Sequence, residues 1–405
     1  MSPTATVRAT VPASRRPPAM GGGGRAGAGD RLRRAVRRAA PALLGYLVVR
    51  LCGLLVLARW AHLRGHGIWP TLATSWDSHW YLGIADHGYD STLGTRVNDN
   101  NLAFFPLYPG LVKAVAAVTP GSRASVGLLL AIGFSFVAAW GVFAVGDRLY
   151  GRRVGFLLTL LWGVLPVAIV QWMGYTESLF TAFAAWALYA VLTGRWMWAG
   201  SLATLAGLTR PTGIAVAAAV SVAAALSCRG GRRRRRSSRA TALAAALIAP
   251  AGWLAYVTWV GLRVGRLDGY FAVQRLWKNQ WDGGASTLRE LRQYLVYMTE
   301  PQLFLVIVSV VLIVSVGLYL LCLSERQPVA LLVFTGMLLL VVLGSGGVYF
   351  PRARFLLPGF PLLLPIARAL ARARRTAVVA ALLGAGTLMS AWLGAYMLLV
   401  WKGPP

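Results

Sequence analysis

The densest run of chemically capable side chains is Ser75–Tyr89, SWDSHWYLGIADHGY, with two acids, two histidines and four aromatics in fifteen residues. Read as a helix from Asp77, it puts His79 and Asp86 on one face and Asp77 beside Trp80, Tyr81 and Ile84 on the more apolar side. Desolvation raises the proton affinity of a carboxylate at such a margin, which suits a general base. The same spacing also fits an interfacial helix N-capped by Asp77 and anchored by Trp76, Trp80 and Tyr81. Gly174–Ser178, GYTES, forms a very short polar turn, where Glu177 either binds substrate or complements a helix N-terminus. Arg210 in LTRPTG, and Arg352 with Arg354 in YFPRARF, suit phosphate because a planar guanidinium donates bidentate hydrogen bonds. Snorkelling at an interface is the alternative for all three. His62 and His66 precede this run and His79 and His87 lie in it, yet no zinc spacing completes a site, and Cys52, Cys228 and Cys322 are scattered. No metal site is expected.

These residues punctuate a chain of 405 residues that is 57% hydrophobic and 13% charged, with a mean hydropathy of +0.60. Water-soluble helices need polar outer faces, and a stretch such as Leu305–Leu323 carries no charge at all. An all-α integral membrane protein is the consequence. The net charge of +29 gathers beside apolar segments, where it orients spans, so nucleic acid is not an expected partner. Residues 1–40 read as a disordered basic cytoplasmic tail and 41–405 as the transmembrane domain. Apolar segments lie at 41–58, 126–146, 154–172, 176–193, 197–209, 213–228, 240–262, 302–323, 328–349, 355–371 and 376–400. Arg148–Arg153, Arg195, Arg229–Arg239, Arg326 and Arg368–Arg375 all face the cytoplasm only if Phe104–Val118 does not cross. That stretch, with Pro106, Pro109 and Lys113, reads as a re-entrant or interfacial helix.

The predicted topology therefore has about eleven spans, an inside N-terminus, and two outer loops at 63–125 and 263–300. It places nine of the twelve acids outside: Asp77, Asp86, Asp90, Asp99, Glu177, Asp268, Asp282, Glu290 and Glu300. All four histidines join them. Orientation rules do not force that, because acids contribute little to topology. Chemistry on the outer face is the expectation.

Taken in order, four motifs resemble one family. They are Trp76-Asp77 with Ile84-Ala85-Asp86-His87-Gly88-Tyr89, then Asn101-Leu102-Ala103-Phe104-Phe105-Pro106, then Gly174-Tyr175-Thr176-Glu177-Ser178, then Arg210 with Gly213. The family is the PIG-V (GPI mannosyltransferase 2-like) branch of the GT-C membrane glycosyltransferases, in its bacterial form, and the match covers roughly residues 45–215. The resemblance implies a GT-C-type bundle that moves mannose from polyprenyl-phosphate-mannose to a lipid or glycan acceptor, with inversion, on the extracytoplasmic side of the cell membrane. It implies Asp77 as catalytic base and Asp86 as a second acid. Trp76, His79, His87, Tyr89, Tyr175, Glu177, Arg210, Arg352 and Arg354 are the expected substrate-binding residues. No cofactor is required, though a divalent metal is compatible with the chemistry. The rival expectations are a lipid or sugar transporter, whose polar groups would sit near the bilayer midplane, and a non-catalytic assembly factor.

Overall fold

A computed structural model describes residues 28–229 and 236–404; of these, 28–38 fall in one unit and the rest in a second that starts at Ala39. Of the first unit only the opening of the Ala28–Leu63 helix is described; every other element belongs to the second. Residues 28–40, expected as part of a disordered tail, are helical, and their run of Arg, Leu and Ala is rich in strong helix formers. The rest of that tail, and the basic residues 230–235, lie outside the described residues.

The described chain is all-α, with a lone antiparallel bridge between Trp281 and Ser345. Five helices are long and apolar enough to cross a membrane: Gly29–Leu63, Arg123–Tyr150, Arg239–Arg263, Leu303–Ser324 and Thr376–Leu399. Their outer faces are apolar. On the first, Leu44, Val48, Leu51 and Leu55 form an exposed stripe at helical spacing, while Ala42, Tyr46, Arg50 and Leu57 are buried opposite. A stripe like that has no water-compatible role and suits lipid.

Eleven spans are not established. Four further apolar helices, Leu107–Ala116, Glu177–Leu192, Gly213–Cys228 and Val329–Gly344, are only 10–17 residues long. Several apolar segments also break internally. The expected span at 154–172 is a helix to Gly163 and then a 3-10 turn at Ala168–Trp172, with Pro166 between them. The one at 355–371 divides around Pro358, Pro361 and Pro365 into the end of the Arg352–Phe355 helix, Phe360–Leu363 and Leu364–Arg372. Hydropathy averages over such breaks, because the residues filling them are themselves apolar.

The break after Gly163 is held by a buried polar group. Arg50 donates from Nη2 to the Gly163 carbonyl at 2.5 Å, capping a helix end that water does not reach. Tyr46 donates to Gln171 Oε1 at 2.9 Å, and Gln171 donates to the Trp162 carbonyl at 3.0 Å. Ser178 Oγ then donates to the Gln171 carbonyl at 2.7 Å, so the network ends on the GYTES turn.

The two outer segments form one layer. Trp277 sits edge-on to Trp80 and Phe104 and donates to the Asn100 carbonyl at 2.9 Å. Arg263 donates to the Tyr89 and Asp90 carbonyls at 2.9 and 2.6 Å. Leu107–Ala116, about 15 Å long, is too short to cross a hydrocarbon core. It buries Tyr108, Pro109 and Val112 and exposes Lys113, as an interfacial helix should.

Candidate active site

Four segments deliver charged side chains to one buried point. The first begins at the short helix Ile68–Ala73, beyond which Trp76 adopts φ 47° and ψ −112°. A tryptophan in this region is strained by roughly 1–3 kcal/mol. That turn starts the Asp77–His87 helix abruptly, leaving Asp77 as its first residue. Asp77 is therefore not the N-cap; Trp76 holds that position without a side-chain cap. The Asp77 carboxylate instead accepts a hydrogen bond from Arg354 Nη2.

The second is the GYTES turn, clamped to the Asp77 segment. Gly174 N donates to the Leu72 carbonyl at 2.8 Å, and Ser78 Oγ donates to the Gly174 carbonyl at 3.1 Å. A Cβ on Gly174 would lie 3.0 Å from Ser78 Oγ and 3.1 Å from the Ala73 carbonyl, so only glycine permits this approach. Two residues on, Thr176 Oγ1 meets the Tyr81 hydroxyl at 3.1 Å, one turn along from Asp77 on the same helix face. Glu177 opens the Glu177–Leu192 helix, where the dipole favours its charge.

The third and fourth segments supply cations. Arg210 occupies the break between Trp196–Gly207 and Gly213–Arg229, and a Cβ on Gly213 would strike the Gly207 backbone at 2.6 Å. Its Nη1 lies 2.5 Å from Glu177 Oε1 and donates to Thr176 Oγ1 at 3.1 Å. Arg354 comes from the four-residue Arg352–Phe355 helix, with its Nε 3.6 Å from Glu177 Oε1. Its guanidinium lies over Tyr175 at 4.9 Å and Phe355 at 5.2 Å, and Arg210 lies over Phe355 as well. Burial opposes the charge on Arg354, but Asp77 and Glu177 outweigh it and hold the group protonated above its ordinary value. Burial, with Asp77 adding to it, pushes the Tyr81 phenol up, so it stays a neutral donor.

Not every expected residue joins. Asp86, nine residues after Asp77, lies half a turn round the helix, exposed and paired with Arg123. Arg352 is two residues from Arg354, about 200° round a helix, and so points away. It donates to Thr287 Oγ1 and, at 2.9 Å, to the Ser345 carbonyl, fastening the second outer loop to the Val329–Gly344 helix end. His79 and His87 are exposed and, with Trp80, Tyr89, Asp90 and Asn101, line a separate cavity of about 240 Å³. Tyr89 itself donates to the Phe104 carbonyl at 2.9 Å, holding the loop. Trp76 belongs to the site through its backbone and Tyr175 through its ring. Among the described residues no three His, Cys, Asp or Glu side chains come within reach of one ion. Thr176, Tyr81 and Phe355 are contributors the motif reading did not select as site residues. Their neighbours in sequence, Glu177 and Arg354, were the available signal.

No protein-family model and no curated protein matches the chain. Solved structures do, among them the archaeal oligosaccharyltransferase AglB from Archaeoglobus fulgidus in complex with an inhibitory peptide and a dolichol-phosphate. It is 15% identical, with a TM-score of 0.49 over 89% of this chain and 56% of that one. The apo form of the Archaeoglobus fulgidus oligosaccharyltransferase is 14% identical, with a TM-score of 0.46 over 87% and 56%. The chain thus spans little more than half the length of these structures.

Proposed function

We propose that the protein is a GT-C-type membrane glycosyltransferase that moves mannose from polyprenyl-phosphate-mannose to a lipid or glycan acceptor on the extracytoplasmic face, with inversion. The observation that carries this reading is the convergence of Asp77, Glu177, Arg210 and Arg354, three of which sit in the motifs the family resemblance rests on. Asp77 takes the acceptor hydroxyl proton, a contribution of about 10²- to 10⁴-fold. Arg210 and Arg354 receive the negative charge that grows on the departing phosphate. Glu177 holds the two guanidiniums together against their mutual repulsion. Because the donor has one phosphate, two arginines suffice and a divalent metal is optional.

An apolar groove of about 550 Å³ supports a lipid-linked donor. Leu312, Ile313 and Val316 line one wall, Leu339 and Leu343 the other, and Trp281 closes one end. Thr287, also in its lining, accepts from Arg352, two residues from the arginine of the site.

The test is to incubate membranes containing the protein with labelled polyprenyl-phosphate-mannose and identify the product. Label is expected in a glycolipid or glycan. Labelled donor found intact on the opposite leaflet would instead mark a transporter, and no movement of label at all would leave an assembly role.

A further inference from the structure

Arg354 and Asp77 face a conflict that the charge count makes plain. Asp77, Glu177, Arg210 and Arg354 sum to zero on their own, and Arg354 Nη2 is committed to Asp77. The Asp77 oxygen that accepts from Arg354 has a donor already in place, so a proton from an acceptor hydroxyl has to compete for it. The same commitment occupies Nη2, which a two-pronged grip of the guanidinium on a phosphate would use. Yet Arg354 is not fully used: its Nε and Nη1 are buried without a hydrogen-bond partner. Unmet donors in a buried guanidinium are costly, and a phosphate satisfies them better than one carboxylate oxygen does.

We propose that Arg354 exchanges partners during the reaction, leaving Asp77 for the donor phosphate, so that the base is released only when the leaving group is in place. The proposal rests on the transfer reaction above and deepens it. In the step itself the acceptor oxygen forms a bond to the sugar C1 and loses its proton to Asp77. The bond from C1 to the phosphate oxygen breaks, and its electron pair stays on the phosphate. The phosphodiester carries one negative charge and the released monoester two, while Asp77 goes from one to none. Total charge in the site is constant; it moves from carboxylate to phosphate, and Arg354 moves with it. Glu177, close to both arginines, keeps the guanidinium in reach as it turns.

The exchange makes Asp77 a competitor of the phosphate, which a purely catalytic or a purely structural aspartate is not. Equilibrium binding of polyprenyl phosphate to the purified full-length protein in detergent reads this directly. Asp77→Asn should bind about tenfold more tightly than wild type, since one charge-assisted hydrogen bond no longer competes. In an Arg354→Gln background the same substitution should give no gain. If Asp77→Asn fails to fold, as judged by its thermal unfolding, Asp77→Ser makes the same comparison. Unchanged or weaker binding in the aspartate variants overturns the exchange. So does a gain that persists without Arg354, which would mark general charge removal, and so does absence of polyprenyl phosphate binding to wild type. The two proposals fail separately. Tighter binding in Asp77→Asn with no mannose transfer by wild type leaves the exchange standing and removes the donor assignment. Normal transfer by wild type with no tightening does the reverse.

Discussion

Asp77 and Glu177 are both carboxylates beside arginine, yet their surroundings give them different work. The Asp77 side chain is 22% exposed and the Glu177 side chain 2%. A base must be reached by the acceptor, whereas a counter-charge need only be buried between the cations it holds. Glu177→Gln is therefore expected to destabilise the protein by about 3–5 kcal/mol, because it leaves two buried guanidiniums short of a partner. Thermal unfolding in detergent checks this, and an unshifted midpoint would show that Glu177 is not the counter-charge. Asp86→Asn removes only an exposed pair with Arg123, so both stability and transfer should stay near wild type. If transfer by Asp86→Asn collapses, the base is the other carboxylate. The choice between Asp77 and Asp86 was half legible in the sequence. Nine residues along a helix is a half turn, so the two had to face apart, but only the structure shows that Arg354 meets Asp77 while Arg123 meets Asp86. Arg352 and Arg354 were not separable at all, because the four-residue helix that turns them apart lies between two expected spans, where hydropathy shows neither a helix nor a face.

Helices that stop short explain how polar groups reach the site from within apolar sequence. Arg210 comes after a helix that ends at Gly207, and Glu177 comes after the 3-10 turn that replaces the end of an expected span. The Leu107–Ala116 helix is the element on which the predicted orientation turns. At about 15 Å it should lie along the surface, and a reporter fused after Thr119 should read as non-cytoplasmic. A cytoplasmic signal would mean that the segment crosses. The outer layer is a second test. Trp277 packs edge-on against both Trp80 and Phe104, so Trp277→Ala should loosen the second outer loop and speed proteolysis after Arg275 and Lys278. An unchanged cleavage rate would mean that the loop is held from elsewhere, through Arg352. Proline and glycine positions announced these breaks in the sequence; which outer loops pack together did not show there, since it depends on aromatic contacts between residues nearly two hundred positions apart.

One long helix connects the neighbourhood of Asp86 with the basic turns. The 28-residue Arg123–Tyr150 helix runs from the Asp86 partner at one end to the ring beneath Arg368 at the other, about 42 Å away. At the far end Arg368 pairs with Glu325 at 2.6 Å, and Arg153 donates to the Ala373 carbonyl at 3.1 Å. Basic residues of the 148–153 and 368–375 turns thus meet at that end. Cysteines placed at His87 and Arg374 should label from opposite sides of sealed vesicles; labelling of both from one side would break the topology. The central claim concerns Asp77 as the base of a sugar transfer, and it is tested most directly in proteoliposomes loaded with labelled polyprenyl-phosphate-mannose. Wild type should pass mannose to an acceptor, and Asp77→Asn, folded and melting at the same temperature, should do so at least about a hundredfold more slowly. Equal rates from the two proteins would contradict the account.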